Sequence, residues 1–126
     1  MTTTSRVLDH PARTEIRLES VLHALSDPAR LQVVRFLAGL PAREEVACSA
    51  IDLAVTKSTT THHFRVLRKA GLISQVYRGT AKMTTLRRAD LDALFPGLLD
   101  AVLTADTAQR RRSAARPQPA GRGDQV

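Results

Sequence analysis

The chain has no tryptophan, one tyrosine, three phenylalanines and one cysteine in 126 residues. A single thiol, Cys48, cannot close an intramolecular disulfide and falls far short of a structural zinc site. Glycine and proline are scarce, six of each, which excludes collagen-like and low-complexity classes. Charge interrupts every apolar stretch within a few residues, so no membrane span is expected. The opening MTTTSRVLDHPAR lacks the apolar segment of a secretory signal, which leaves a cytoplasmic protein as the expectation. The parts of an enzyme are missing as well. There is no G-x-S-x-G, no glycine-rich phosphate loop, no paired carboxylate set and no thiol with an evident histidine base. The adjacent His62 and His63 project about 100° apart on a helix and cannot chelate as an i, i+4 pair could. Neither catalytic residue nor cofactor is expected.

What the chain does have is positive charge, placed unevenly. The net charge is +7. Residues 57–88 carry Lys57, Arg65, Arg68, Lys69, Arg78, Lys82, Arg87 and Arg88 and not one acid, whereas residues 15–56 carry more acids than bases. A basic field concentrated on one contiguous segment points to a polyanionic partner, double-stranded DNA, rather than to a generally basic surface.

The length suits one domain. Residues 1–14 are polar and aperiodic and read as a flexible arm, residues 15–108 as the folded domain, and residues 109–126 as a disordered basic tail. Leu18, Val21, Leu22 and Leu25 recur at helical spacing. Ser26-Asp27-Pro28 combines capping residues with a proline suited to a first turn, and Leu31, Val34, Leu37 and Ala38 continue that second helix to Gly39. Ala47, Ala50, Ile51 and Ala54 predict a short third helix. Thr56 or Ser58 caps a fourth that runs to Ala70, with Gly71 as its left-handed stop. LISQVYRGTAKMTTL reads as a hairpin turning at Arg78-Gly79-Thr80. Asp90 opens a further helix, and Pro96-Gly97 breaks it before Leu98, Leu99, Val102 and Leu103 resume an apolar stripe. The fold class expected is mainly α with a small β-hairpin wing, a winged helix-turn-helix, dimeric. Residues 47–54 and 57–70 form the helix-turn-helix pair and the hairpin forms the wing.

Two stretches, LHALSDPARLQVVRFLA (22–38) and KSTTTHHFRVLRKAGLI (57–73), resemble the ArsR-type winged helix-turn-helix repressors. Signatures of that family include a DP-x-R-x-x-x-L-x-x-L stretch and an S/T-x-H-L/F-x-x-L-x-x-A-G-L recognition helix, and the resemblance spans roughly residues 18–103. It implies a dimeric, sequence-specific transcriptional regulator. It also places the paired cysteines of metal-sensing members at Glu45 and Ala47, one residue off Cys48, and no histidine follows His63, so no metal site is expected.

On the predicted recognition helix, Ser58, Thr59, Thr61 and His62 are short polar side chains at the end that enters a major groove, with Ser58 and Thr59 equally suited to capping. Arg65 can reach a phosphate or a guanine, and Lys57, Arg68 and Lys69 meet phosphate. His63, beside Phe64 and Leu67, reads as structural. Arg78 and Lys82 flank the tip of the wing, where they reach the adjacent backbone or minor groove. Leu18 and Val21 of the first helix and Leu98, Leu99, Val102 and Leu103 of the last are the expected homodimer interface. The expectation is a repressor on a palindromic operator, released by an unidentified small-molecule effector. The alternative is a winged-helix protein-interaction module without specific DNA binding.

Overall fold

A computed structural model describes residues 5–116. Five α-helices and a four-stranded antiparallel sheet occur in it among those residues. Helix α1 (Leu18–Leu25) is followed at once by α2 (Pro28–Ala38). Asp27 caps α2 by accepting from the backbone N–H groups of Ala29 and Arg30, with Pro28 in the first turn where its missing N–H costs nothing. Helix α3 (Lys57–Ala70) starts at Thr56, whose hydroxyl accepts from the Thr59 N–H, and stops at Gly71 at φ +92°. Strands β3 (Ile73–Arg78) and β4 (Ala81–Leu86) form the hairpin, turning at Gly79-Thr80. Helices α4 (Arg88–Leu94) and α5 (Leu98–Ala115) follow, separated by Pro96 and Gly97.

The remaining strands lie at the sheet edges. Strand β1 (Ser5–Val7) pairs with β3 and the short β2 (Val46–Ala47) with β4, in the order β1-β3-β4-β2. The expected helix over residues 47–54 is therefore absent. Val46 and Ala47 pair with Thr84 and Met83, Cys48–Ala50 make one 3₁₀ turn, and Ile51 and Leu53 are buried while Asp52 between them is exposed. That is burial with period two. In a helix Ile51 and Leu53 would point about 200° apart, and only one could reach the core.

Both expected boundaries also shift. Within the expected arm, residues 5–7 are a strand and Arg13–Glu15 a 3₁₀ turn, and Ile16 just beyond it is buried against the end of α3. Helix α5 continues past residue 108 to Ala115. The rest of the expected tail, residues 117–126, lies outside the described residues, as do residues 1–4 of the arm.

The core joins all the helices to the inner face of the sheet: Val21, Ala24 and Leu25 of α1, Val33, Val34 and Leu37 of α2, Phe64 and Leu67 of α3, Leu72 and Ile73, and Leu91 and Leu99. Two residues expected in a dimer interface, Val21 and Leu99, are buried within the protomer itself. Val21 is 1% and Leu99 3% exposed within the protomer, because α5 folds back and lays Leu99 beside Val21, Leu25, Leu72 and Leu91. Leu98, Val102 and Leu103 are half-buried at the edge of the same cluster, and Leu18 stays 42% exposed.

Candidate nucleic-acid interface

Helix α3 divides cleanly by burial. His63, Phe64, Leu67 and Ala70 are buried, whereas Lys57, Ser58, Thr61, His62, Arg65 and Lys69 are exposed. Counted from Ser58, the exposed positions fall at i, i+3, i+4, i+7 and i+11, so they form one stripe along the outer surface of the helix. Thr59 and Arg68 lie at its margins, half-buried. The Thr59 hydroxyl accepts from Thr56 within the cap and keeps its own O–H to donate, and the Thr61 hydroxyl donates back to the Lys57 carbonyl and keeps its oxygen to accept.

A buried polar cluster holds this helix in place. Arg30 of α2, 7% exposed, donates from Nε to the Ala24 carbonyl and from its second amino group to the His23 carbonyl, both in the last turn of α1. Its first amino nitrogen lies 3.2 Å from His63 Nδ1 on α3. An arginine has only donors, so Nδ1 accepts and the proton of a neutral ring sits on Nε2, which faces Asp27 Oδ1 at 3.8 Å. Burial opposes the charge on Asp27. The backbone N–H bonds from Arg30 and Ala29, with the Arg30 charge adding to them, overcome that and hold its pKa below the ordinary value. The D-P-x-R stretch thus has a physical account: its Asp caps α2, and its Arg ties the end of α1 and the recognition helix to that cap. The sequence marked His63 as structural but gave no sign of its partner.

The far end of α3 is tied to the sheet and the N-terminal segment. Arg68 donates to Gln75 Oε1 at 2.8 Å and to the Asp9 carbonyl, so the structure engages within the protein a side chain expected on phosphate. The Gln75 side chain, 1% exposed, also donates to Cys48 Sγ and Thr84 Oγ1, and Cys48 Sγ lies 2.9 Å from Thr84 Oγ1. Cys48 is therefore a half-buried, hydrogen-bonded thiol beside the sheet. His10 Nε2 accepts from the Gln75 backbone N–H; its pKa is lowered by burial first and then by the charges of Arg87 and Arg68.

On the wing, Arg78 forms a two-pronged ion pair with Glu45 at 2.8 and 2.6 Å, which holds the Glu45 carboxyl below its usual range. Lys82 on β4 faces α3 across a cleft of about 440 Å³ lined by Cys48, Ser49, Lys57, Thr60, Thr61 and Thr80. The expected base-facing residues and Lys82 are thereby brought to one side of the molecule. Arg68 and Arg78 border that side but are engaged by Gln75 and Glu45. Among the described residues, no group of three or more histidine, cysteine, aspartate or glutamate side chains could hold a metal ion, and no helix is long and apolar enough to cross a membrane.

A helix with a buried inner face and an acid-free polar and basic outer face, followed directly by a basic hairpin, defines a winged helix-turn-helix protein. The comparisons agree. A family described as "Helix-turn-helix domain" matches residues 25–76. An uncharacterized HTH-type transcriptional regulator of Bacillus subtilis (strain 168), YceK, is 30% identical over 82 residues, covering 64% of this chain and 80% of that protein. An ArsR-like transcriptional regulator from Rhodococcus sp. RHA1 superposes with TM-score 0.50 at 26% identity, over 78% of this chain and 86% of the other. A crystal structure of an ArsR family transcriptional regulator shares the fold with TM-score 0.53 at 18% identity, over 79% and 98% of the two chains. The chain belongs to the HTH-type transcriptional regulators, in their ArsR-like winged form, and carries a helix-turn-helix DNA-binding domain.

Proposed function

We propose that this chain is a repressor that binds a palindromic operator as a homodimer, with α3 in the major groove and the β3–β4 wing on the flanking backbone. One observation carries the reading: the exposed stripe Ser58, Thr61, His62, Arg65 and Lys69, set on a helix anchored from behind by His63, Phe64 and Leu67. Ser58, Thr61 and His62 read base edges, Arg65 reaches a base or a phosphate, and Lys57, Lys69 and Lys82 neutralise phosphate. Thr59 serves the cap first. Two-fold symmetry would place the two copies of α3 about one DNA turn apart, roughly 34–36 Å. The exposed Leu18 and the half-buried Leu98, Val102 and Leu103 support the dimer. Release by a small-molecule effector belongs to the same reading, supported by a cleft of about 390 Å³ between the α1–α2 junction and α5, beside Leu31, Arg35, Asp106 and Arg110.

The test is selection of bound genomic fragments, followed by titration of the selected duplex and a scrambled one across salt. Affinity should fall by about 10³ to 10⁵ between 50 and 200 mM salt if six to ten phosphates are neutralised per dimer. Thr61→Ala and His62→Ala should each cost about 1–3 kcal/mol on the selected duplex only, whereas Lys82→Ala should weaken both duplexes equally. A flat salt response, or the same proportional loss from all three variants, overturns the reading and favours a protein-interaction module.

A further inference from the structure

Residues 5–7 add a third strand to the wing, and their register brings together three side chains far apart in sequence. Arg6 stands opposite Tyr77 in the β1–β3 pair, and Tyr77 stands opposite Lys82 in the β3–β4 pair. Cross-strand partners share a face, so Arg6, Tyr77 and Lys82 form one row across three strands. The face is identified by Gln75, two residues before Tyr77, whose side chain meets Arg68 of α3. The row therefore lies on the side of the sheet turned toward the recognition helix, at its outer end. There the Arg6 guanidinium carbon sits 4.8 Å and Lys82 Nζ 5.5 Å from the centre of the Tyr77 ring.

Two cations gathered on one aromatic ring attract the ring but repel each other. Nearby, Arg78 is matched by Glu45, yet among the described residues no carboxylate lies within ion-pairing distance of Arg6 or Lys82. The row is thus an uncompensated pair of cations on one tyrosine, and its Lys82 also lines the cleft that holds Lys57 and Thr61. A phosphate group brings several acceptor oxygens to such a row, and arginine can meet it with two parallel N–H bonds while lysine meets it as a point charge.

We infer that Arg6, Tyr77 and Lys82 form a seat for one phosphodiester of the DNA backbone beside the recognition-helix contact, so that the N-terminal strand is part of the DNA-binding wing. The inference rests on the DNA-binding reading above. It adds a contact from outside the helix-turn-helix segment, one made to backbone and therefore independent of sequence.

The experiment uses the full chain and a fluorescein-labelled duplex of random sequence, long enough for two half-sites, with anisotropy followed across salt. Arg6→Gln should lower the slope of log affinity against log salt by about one per protomer, so that in a dimer the affinity lost between 50 and 200 mM salt shrinks by about tenfold. Arg6→Lys should restore the slope. Arg17→Gln makes the same change in net charge away from the wing and should leave the slope as in wild type. Tyr77→Leu keeps both cations and should weaken binding without a change of net charge. Unchanged far-UV circular dichroism in Arg6→Gln excludes misfolding as the cause. A wild-type slope in Arg6→Gln, or an equal fall in Arg17→Gln, overturns the phosphate seat while leaving DNA binding intact. Failure of the wild type to bind the duplex at all overturns both readings.

Discussion

Arg30 is the residue on which the geometry of the recognition helix turns. A guanidinium at 7% exposure without a carboxylate within hydrogen-bond reach survives because it sits against the carbonyl end of α1, where the helix dipole favours a cation and the Ala24 carbonyl needs a donor. Arg30→Ala would leave the Ala24 carbonyl and His63 Nδ1 unpaired in the interior, while the His23 carbonyl keeps its bonds from Ser26. Each buried group left without a partner costs about 1–3 kcal/mol, so the denaturant midpoint should drop steeply. Arg30→Lys should recover little, because a single ammonium cannot span α1 and α3 as the planar fork does. A denaturation curve like that of wild type for either variant would show that the cluster adds nothing to the fold.

At the scale of elements, the junction from α3 to β3 is the most constrained point. Gly71 turns the chain at φ +92°, and a Cβ there would stand 2.6 Å from Cγ1 and 2.7 Å from Cδ1 of Ile16. Gly71→Ala therefore meets both a left-handed backbone, about 1–2 kcal/mol, and an overpacked contact with a buried isoleucine, about 1–3 kcal/mol. Gly79 at the wing tip has φ +66° but nothing within 4 Å of the added carbon, so Gly79→Ala should incur only the first cost. Urea denaturation of the two variants separates the terms, with Gly71→Ala the less stable. Equal losses would mean that Ile16 yields freely. The same junction explains why the N-terminal segment is ordered: Ile16 plugs the turn, Arg68 and Arg87 hold the Asp9 and Pro11 carbonyls, and Arg13 pairs with Asp90.

For the whole molecule, the proposed homodimer requires an apolar surface left outside the protomer's own core. Leu99 and Val21 are spent inside the protomer, and an aspartate at either would bury a charge and unfold it. Leu18 and Leu22, at 42% and 45% exposure, lie one turn apart on the outer face of α1, and Leu103 is half-buried on α5. Leu22→Asp with Leu103→Asp should therefore give a folded monomer that has lost operator affinity, since one winged helix contacts one half-site. Sedimentation beside far-UV circular dichroism checks this. A dimer that persists in the double variant would place the interface elsewhere.

Periodicity and punctuation in the sequence were enough for the local elements. Spacings of three and four, the Asp27-Pro28 start and the Gly71 stop set α1, α2 and α3 because helix ends and faces depend on residues within one or two turns. The acid-free run from Lys57 to Arg88 was likewise legible, since charge needs no fold to be counted, and it is the segment proposed to face DNA. Tertiary structure decided what depends on partners distant in the chain. Residues 47–54 carry helical spacing but form no α-helix, because the edge of β4 offers hydrogen bonds to Val46 and Ala47, and Ile51 and Leu53 must both reach the core. Val21 and Leu99 left the expected dimer interface because α5 folds back over α1, which no local pattern specifies. Arg30 met His63 across 33 residues, and Arg6 met Tyr77 across a sheet whose first strand, three residues long, is too short to register as a period.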